Sequence, residues 1–288
     1  MSTESIAQAG AAEQADPIVR AQRRAARRRR VVTVCRVAVF VVVFGGWELL
    51  SRTKIIDPFF FGQPSRIVEQ VIDWFRNGTQ AGPVWTQIGV TMEEAFFGFL
   101  IGVALGVVCG VALGRVRVLA EVFGPYIKAV NAIPRIVLGS IFIVWLGLGM
   151  SSKVLLAVVL VFFTVFFNAF QGTREVDRNL IANARILGAS RRQVTFQVVL
   201  PSAMTWIIAS LHVSFGFALI GAIVGEFLGA QQGLGLLISQ AQGTFNANGV
   251  FAAMLIVAVV ALLAELLLTY VEGRVLAWRP PQLSGADL

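Results

Sequence analysis

Lys128 and Arg135 stand seven residues apart in a largely apolar stretch of about 119–147. A cation at the centre of a membrane span costs roughly 2.5–3.5 kcal/mol on insertion scales, so each needs a reason. The spacing puts both on one helix face, beside Pro134. Either they make an inner cavity attractive to anions, or Lys128 snorkels to the interface and Arg135 pairs internally. Glu226 closes another apolar run, where it lines the mouth of a path or holds the following segment in place. His212, in the same run, is a hydrogen-bonded helix contact or a path residue. Glu93 and Glu94 lie near the outer end of a run, where interfacial solvation accounts for them. None of these patterns is catalytic. The chain has no Gly-x-x-x-x-Gly-Lys-Ser/Thr loop for nucleotide phosphates, no nucleophile elbow and a single His. Cys35 and Cys109 sit inside apolar runs and read as small hydrophobes. No metal, no cofactor and no enzymatic activity are expected.

A second group of residues is basic and amphipathic. Val176, Leu180, Ala184 and Leu187 recur at helical spacing, with Arg174, Asp177, Arg178 and Arg185 around them. Gly188 can end that helix in a left-handed conformation. Ser190-Arg191-Arg192-Gln193 has the form of a capping box opening a second helix. Pro201 suits the start of a long helix, where its missing N–H costs little. Helix, sharp turn, helix is a shape that docks another protein; the bland alternative is an interfacial helix on anionic lipid.

The surrounding elements must be membrane spans. Of 288 residues, 57% are hydrophobic and 14% charged, and the mean hydropathy is +0.77. Such a chain is a polytopic all-α membrane protein, and its runs of about twenty apolar residues can each cross a bilayer. The expected spans are about 31–50, 87–113, 119–147 with a kink at Pro134, 153–172, 203–227 and 249–271. A disordered, Arg-rich arm precedes them over 1–30, an uncleaved anchor rather than a signal peptide. A membrane domain fills 31–272, and a tail follows over 273–288. The net charge of +8 lies mostly in short flanking segments, which argues for topology signals and lipid contacts and against nucleic acid. With both termini inside, the inner segments hold the arm, Arg115, Arg117, Arg174, Arg178, Arg185, Arg191, Arg192, Arg274 and Arg279. The outer ones hold Arg52, Lys54, Arg66, Arg76 and Lys153. That asymmetry puts the 173–201 loop in the cytoplasm. Gly98, Gly102, Gly106 and Gly110 form a four-residue strip, a close-packing face.

The stretch Ala182 to Pro201 resembles the EAA loop of ABC-importer permeases: Glu-Ala-Ala, three residues, Gly, nine residues, Ile-x-Leu-Pro. Ala184, Gly188, Leu200 and Pro201 fall in register and Val198 stands for Ile. Ala182 and Asn183 replace the Glu and the first Ala. Asn131-Ala132-Ile133-Pro134-Arg135, Trp145-Leu146-Gly147-Leu148-Gly149 and Gly225-Glu226-Phe227-Leu228-Gly229-Ala230-Gln231 are similar to nitrate/sulfonate/taurine-type permeases. Glu94 and His212 stand where those carry Arg. The resemblance implies the type I importer permease fold of the methionine-importer class, in the bacterial plasma membrane. It implies a second permease copy, two ATPase subunits and an extracytoplasmic substrate-binding protein as partners. The loop would insert into the ATPase through Ala184, Arg185, Gly188, Ala189, Ser190, Arg191, Leu200 and Pro201, with Arg192 nearby. The expected function is an ATP-driven import path for a small anionic solute, with Lys128, Arg135, Glu226 and His212 as path candidates. The rival is a stand-alone secondary transporter, which would carry mid-span carboxylates for ion coupling.

Overall fold

In the computed structural model, residues 3–275 are described; side chains of 3–26, Arg178, Val271 and Val275 are not. The tail beyond 275, with Arg279, lies outside the described residues, as do residues 1–2 of the arm. Helices α1 (Thr3–Arg52), α2 (Pro58–Phe61), α3 (Pro64–Asn77), α4 (Val84–Arg115), α5 (Arg117–Ala132) and α6 (Arg135–Leu146) come first. Then follow α7 (Met150–Arg174), α8 (Arg178–Ile186), α9 (Arg191–Gln193), a π-turn over Val194–Val199, α10 (Leu200–Leu228), α11 (Leu234–Gly243) and α12 (Ala247–Val275). No strand is present among the described residues, and one isolated bridge joins Thr79 to Gly82.

The chain divides into two units, 1–66 and 67–288. In the first, α1 starts at Thr3, inside the segment expected as a disordered arm. The Ala, Gln, Glu and Arg that keep this segment out of a core are also strong helix formers, so helix extends back from the span. Its span portion is Arg27–Arg52. Glu48 staples the chain that leaves it: Gln63 Nε2 donates at 2.7 Å, and the Ser65 N–H and hydroxyl each at 3.0 Å.

In the second unit, α7 is the central helix. The glycine strip of α4 lies against it in strict register. A Cβ added to Gly98 would come within 2.3 Å of Ala157 Cβ; at Gly102 the obstacle is Val161, at Gly106 Val165, at Gly110 Ala169 and at Gly114 Thr173. α7 also meets Gly221 and Gly225 of α10, at Ala157 and Lys153. Small residues let backbones approach closely, which is how helices gain packing energy where apolar burial offers none.

Among the described residues, five helices are long and apolar enough to cross a membrane, and the α5–α6 pair makes a sixth if taken as one span. That pair corrects the expectation of a kink. α5 stops at Ala132, α6 starts at Arg135, and their axes differ by 88°. Ile133, restricted by the proline after it, is extended (φ −69°, ψ 131°). Lys128 and Arg135 therefore lie on different helices and share no face.

Candidate functional site

The 173–201 loop is built by local signals. Asp177 caps α8, its carboxylate accepting the Asn179 N–H at 2.8 Å. Gly188 ends the turn at φ +86°, and Ala189 N–H reaches back to Ala184 O at 3.0 Å, the bond of a Schellman-type cap. Ser190 and Gln193 form the reciprocal capping box: Ser190 N–H donates to Gln193 Oε1 at 2.8 Å, and Gln193 N–H to Ser190 Oγ at 3.3 Å. Inside the hairpin, Val176, Val194 and Val199 are buried, with Ile181, Ala184, Ala189 and Val198 against them. Leu180 and Leu187 do not join that core as the spacing suggested; Ile181 takes the inward place. Ile186 and Leu187 instead project from the turn, 82% and 87% exposed. Pro201 sits at the second residue of α10, as expected, but the coil does not begin there. The helix runs unbroken from Arg191 to Leu228. The π-turn just before Pro201 widens the coil, Leu200 N–H reaching Thr195 O, where the proline ring would crowd an ordinary α turn.

The break between α5 and α6 presents Arg135 as the first residue of α6. Its guanidinium hydrogen-bonds the neutral Asn131 Oδ1 and lies 5.1 Å from the centre of the Phe163 ring. No carboxylate among the described residues pairs with it, and no side chain caps the α6 N-terminus. Lys128 lines a separate cavity of about 970 Å³, with Arg115, Arg117 and Arg174 on a wall made by Phe166 and Phe170.

Glu226 and His212 are both engaged in helix contacts. Glu226 is fully buried. It accepts the Thr91 hydroxyl at 2.6 Å and the Gly235 N–H at 2.7 Å, so it ties α4 and α10 to the start of α11. His212 joins α10 to α12, with Nδ1 2.7 Å from Glu265 Oε1 and Nε2 bonded to Glu272.

Sequence reasoning missed the polar cluster around Glu226. Gln87 accepts the Gly233 N–H at 2.7 Å, and Thr91 accepts the Leu234 N–H at 2.9 Å. Lys153, expected among the outer charges, is 0% exposed, its Nζ donating to Leu148 O at 2.6 Å. Glu94, expected at the interface, is buried beside Glu226 and Lys153. The Lys153 ammonium offsets part of the burial cost of the two carboxylates, which repel each other. A signal existed: Gln87, Thr91 and Glu94 continue the face of the glycine strip toward the start of α4.

Taken together, a glycine-welded helix bundle, a broken span and a capped helical hairpin describe a polytopic helical membrane protein with one projecting turn. The chain belongs to the family of binding-protein-dependent transport system inner membrane components, whose model matches residues 102–277; it is a permease of ABC importers. It is 29% identical over 83% of its length to a Bacillus subtilis (strain 168) permease named for aliphatic sulfonates, covering 85% of that protein. It is 26% identical to the taurine transport system permease TauC of Escherichia coli (strain K12), over 87% of this chain and 90% of that one. An inward-facing structure of the MetNI methionine ABC transporter shares the fold: TM-score 0.52 and 21% identity, over 67% of this chain and 92% of that one.

Proposed function

We propose that this permease couples to a separate ATPase subunit through the 173–201 loop, and that its solute is a small anion. The observation that carries the coupling is the Ile186–Leu187 pair. Two large apolar side chains stand almost wholly exposed on a turn whose geometry is over-determined by two caps and a buried valine core. Rigid exposed hydrophobes of this kind are interface anchors. The Arg asymmetry supports a cytoplasmic position for the turn, with both termini on the same side. An ATPase that moves the turn moves α10 with it, because Arg191–Leu228 is one continuous helix. By the family's organisation, a second permease copy and an extracytoplasmic binding protein complete the transporter.

The anionic solute rests on Arg135. A half-exposed guanidinium whose partners, a neutral amide and an aromatic ring, carry no charge sits on an uncapped half-helix N-terminus, where the backbone dipole adds positive charge. The aliphatic sulfonates named for one relative fit that chemistry. Lys128 adds charge in its own cavity. Glu226 and His212 serve the scaffold in this reading, since both carry their polar contacts in helix packing.

The test is Gly188→Val. A β-branched residue at φ +86° strains the turn. The permease should insert and remain monodisperse while losing co-purification with its ATPase and ATP-driven uptake. Unchanged uptake and unchanged co-purification would refute the coupling.

A further inference from the structure

Three arginines from three different elements converge beside the turn. Arg115 is in the last turn of α4, Arg185 in the last turn of α8, and Arg191 opens α9. With Ser190 and Thr195 they line one cavity of about 730 Å³. Arg115 and Arg185 lie near enough to repel each other electrostatically. Among the described residues, no carboxylate pairs with any of the three, although Arg117, two residues on from Arg115, has Glu121 at 2.9 Å. Helix C-termini favour Arg115 and Arg185 one at a time. They do not explain why like charges are held together, which is unfavourable unless an anion sits between them.

The loop itself offers no such anion. Its acidic residues are Glu175, which accepts from Gln171 at 2.6 Å, and Asp177, which caps α8; Ala182 stands where the EAA pattern has Glu. The anion has to come from outside the described chain. Its place beside the exposed Ile186–Leu187 anchor favours a protein surface over a lipid headgroup, because one docking face can cover both.

We infer that the Arg115–Arg185–Arg191 basin receives a carboxylate side chain of the ATPase subunit, so that the docking face includes the end of α4 as well as the loop. This rests on the coupling reading above and specifies the partner: an apolar socket for Ile186 and Leu187 with one or two acidic residues on its rim. A carboxylate held between Arg115 and the two loop arginines ties the turn to α4. α4 is locked to α7 through Gly98 to Gly114, so ATPase movement reaches the bundle by two routes, α10 and α4.

The experiment measures binding of the purified ATPase subunit of this transporter to the full-length permease in nanodiscs, across a salt series. Affinity should fall as salt rises toward 1 M, where screening acts within about 3 Å. Arg115→Gln should weaken binding about fivefold at low salt and flatten the salt dependence; an Arg115→Lys variant should recover most of it. Leu187→Asp should abolish binding at every salt concentration. Loss with Leu187→Asp but no change in affinity or salt slope with Arg115→Gln would overturn the carboxylate basin and leave the docking reading intact. Binding that survives Leu187→Asp would overturn both. Nanodiscs of phosphatidylcholine and of phosphatidylglycerol should give the same Arg115→Gln effect. An effect confined to phosphatidylglycerol would mean a lipid headgroup fills the basin, and would overturn the inference.

Discussion

Glu226 occupies the space that a side chain on Gly233 would need: a Cβ there would lie 2.1 Å from the Glu226 Cδ. Gly233 also has φ +113°, which an L-residue rarely adopts. The two residues form a clasp in which a bare backbone turn wraps a buried carboxylate, with Gln87 and Thr91 of α4 completing the hydrogen bonds.

Gly233→Ala should therefore loosen the α10–α11 connection despite the small change. Thr91→Val should do so independently, since it removes the donor to Glu226 and the acceptor for the Leu234 N–H. Each group left buried and unsatisfied costs about 1–3 kcal/mol. Thermal unfolding in detergent should show a lower midpoint for both variants. A midpoint equal to that of the unaltered protein would show that the clasp does not hold the fold.

Arg135→Gln should behave differently. It removes a charge and keeps a hydrogen-bonding group for Asn131, so expression and ATPase association should persist. Uptake of an anionic solute should fall about tenfold or more, the effect of roughly 1.4 kcal/mol or more. Normal uptake, or a complex that fails to assemble, would remove Arg135 from the path and make it a structural residue.

Orientation is checked by cysteine labelling with a membrane-impermeant reagent, in a Cys35→Ser, Cys109→Ser background. Gln80→Cys should label from outside in intact cells, and Ser190→Cys only after the inner face is opened. The reverse pattern would overturn the arginine argument and the coupling reading that uses it.

How far the sequence spoke depended on how local each feature is. The Gly188 turn and the Ser190–Gln193 box are encoded within a few residues, and both formed as read. So did the α4 glycine strip, although its partner residues on α7 could not be named from one chain's spacing. The proline at 134 announced a bend; an 88° break depends on what α6 packs against, namely Leu156 and Leu228 around Gly139. Leu180 and Ile181 are adjacent apolar residues, and a helix of nine residues leaves the inward one to the packing of Val194 and Val199. The Glu226 clasp was hidden because Thr91 lies 135 residues away. Lys153 looked like a flanking charge because the Leu148 carbonyl that accepts from it is visible only in the folded turn.

The coupling reading is tested most directly by placing a photo-crosslinking amino acid at Leu187 in the assembled, reconstituted transporter. It should capture the ATPase subunit in high yield, and Gly188→Val in the same chain should abolish the product. If Leu187 instead crosslinks only to lipid while the transporter still imports its solute, the 173–201 loop is not where this permease meets its ATPase.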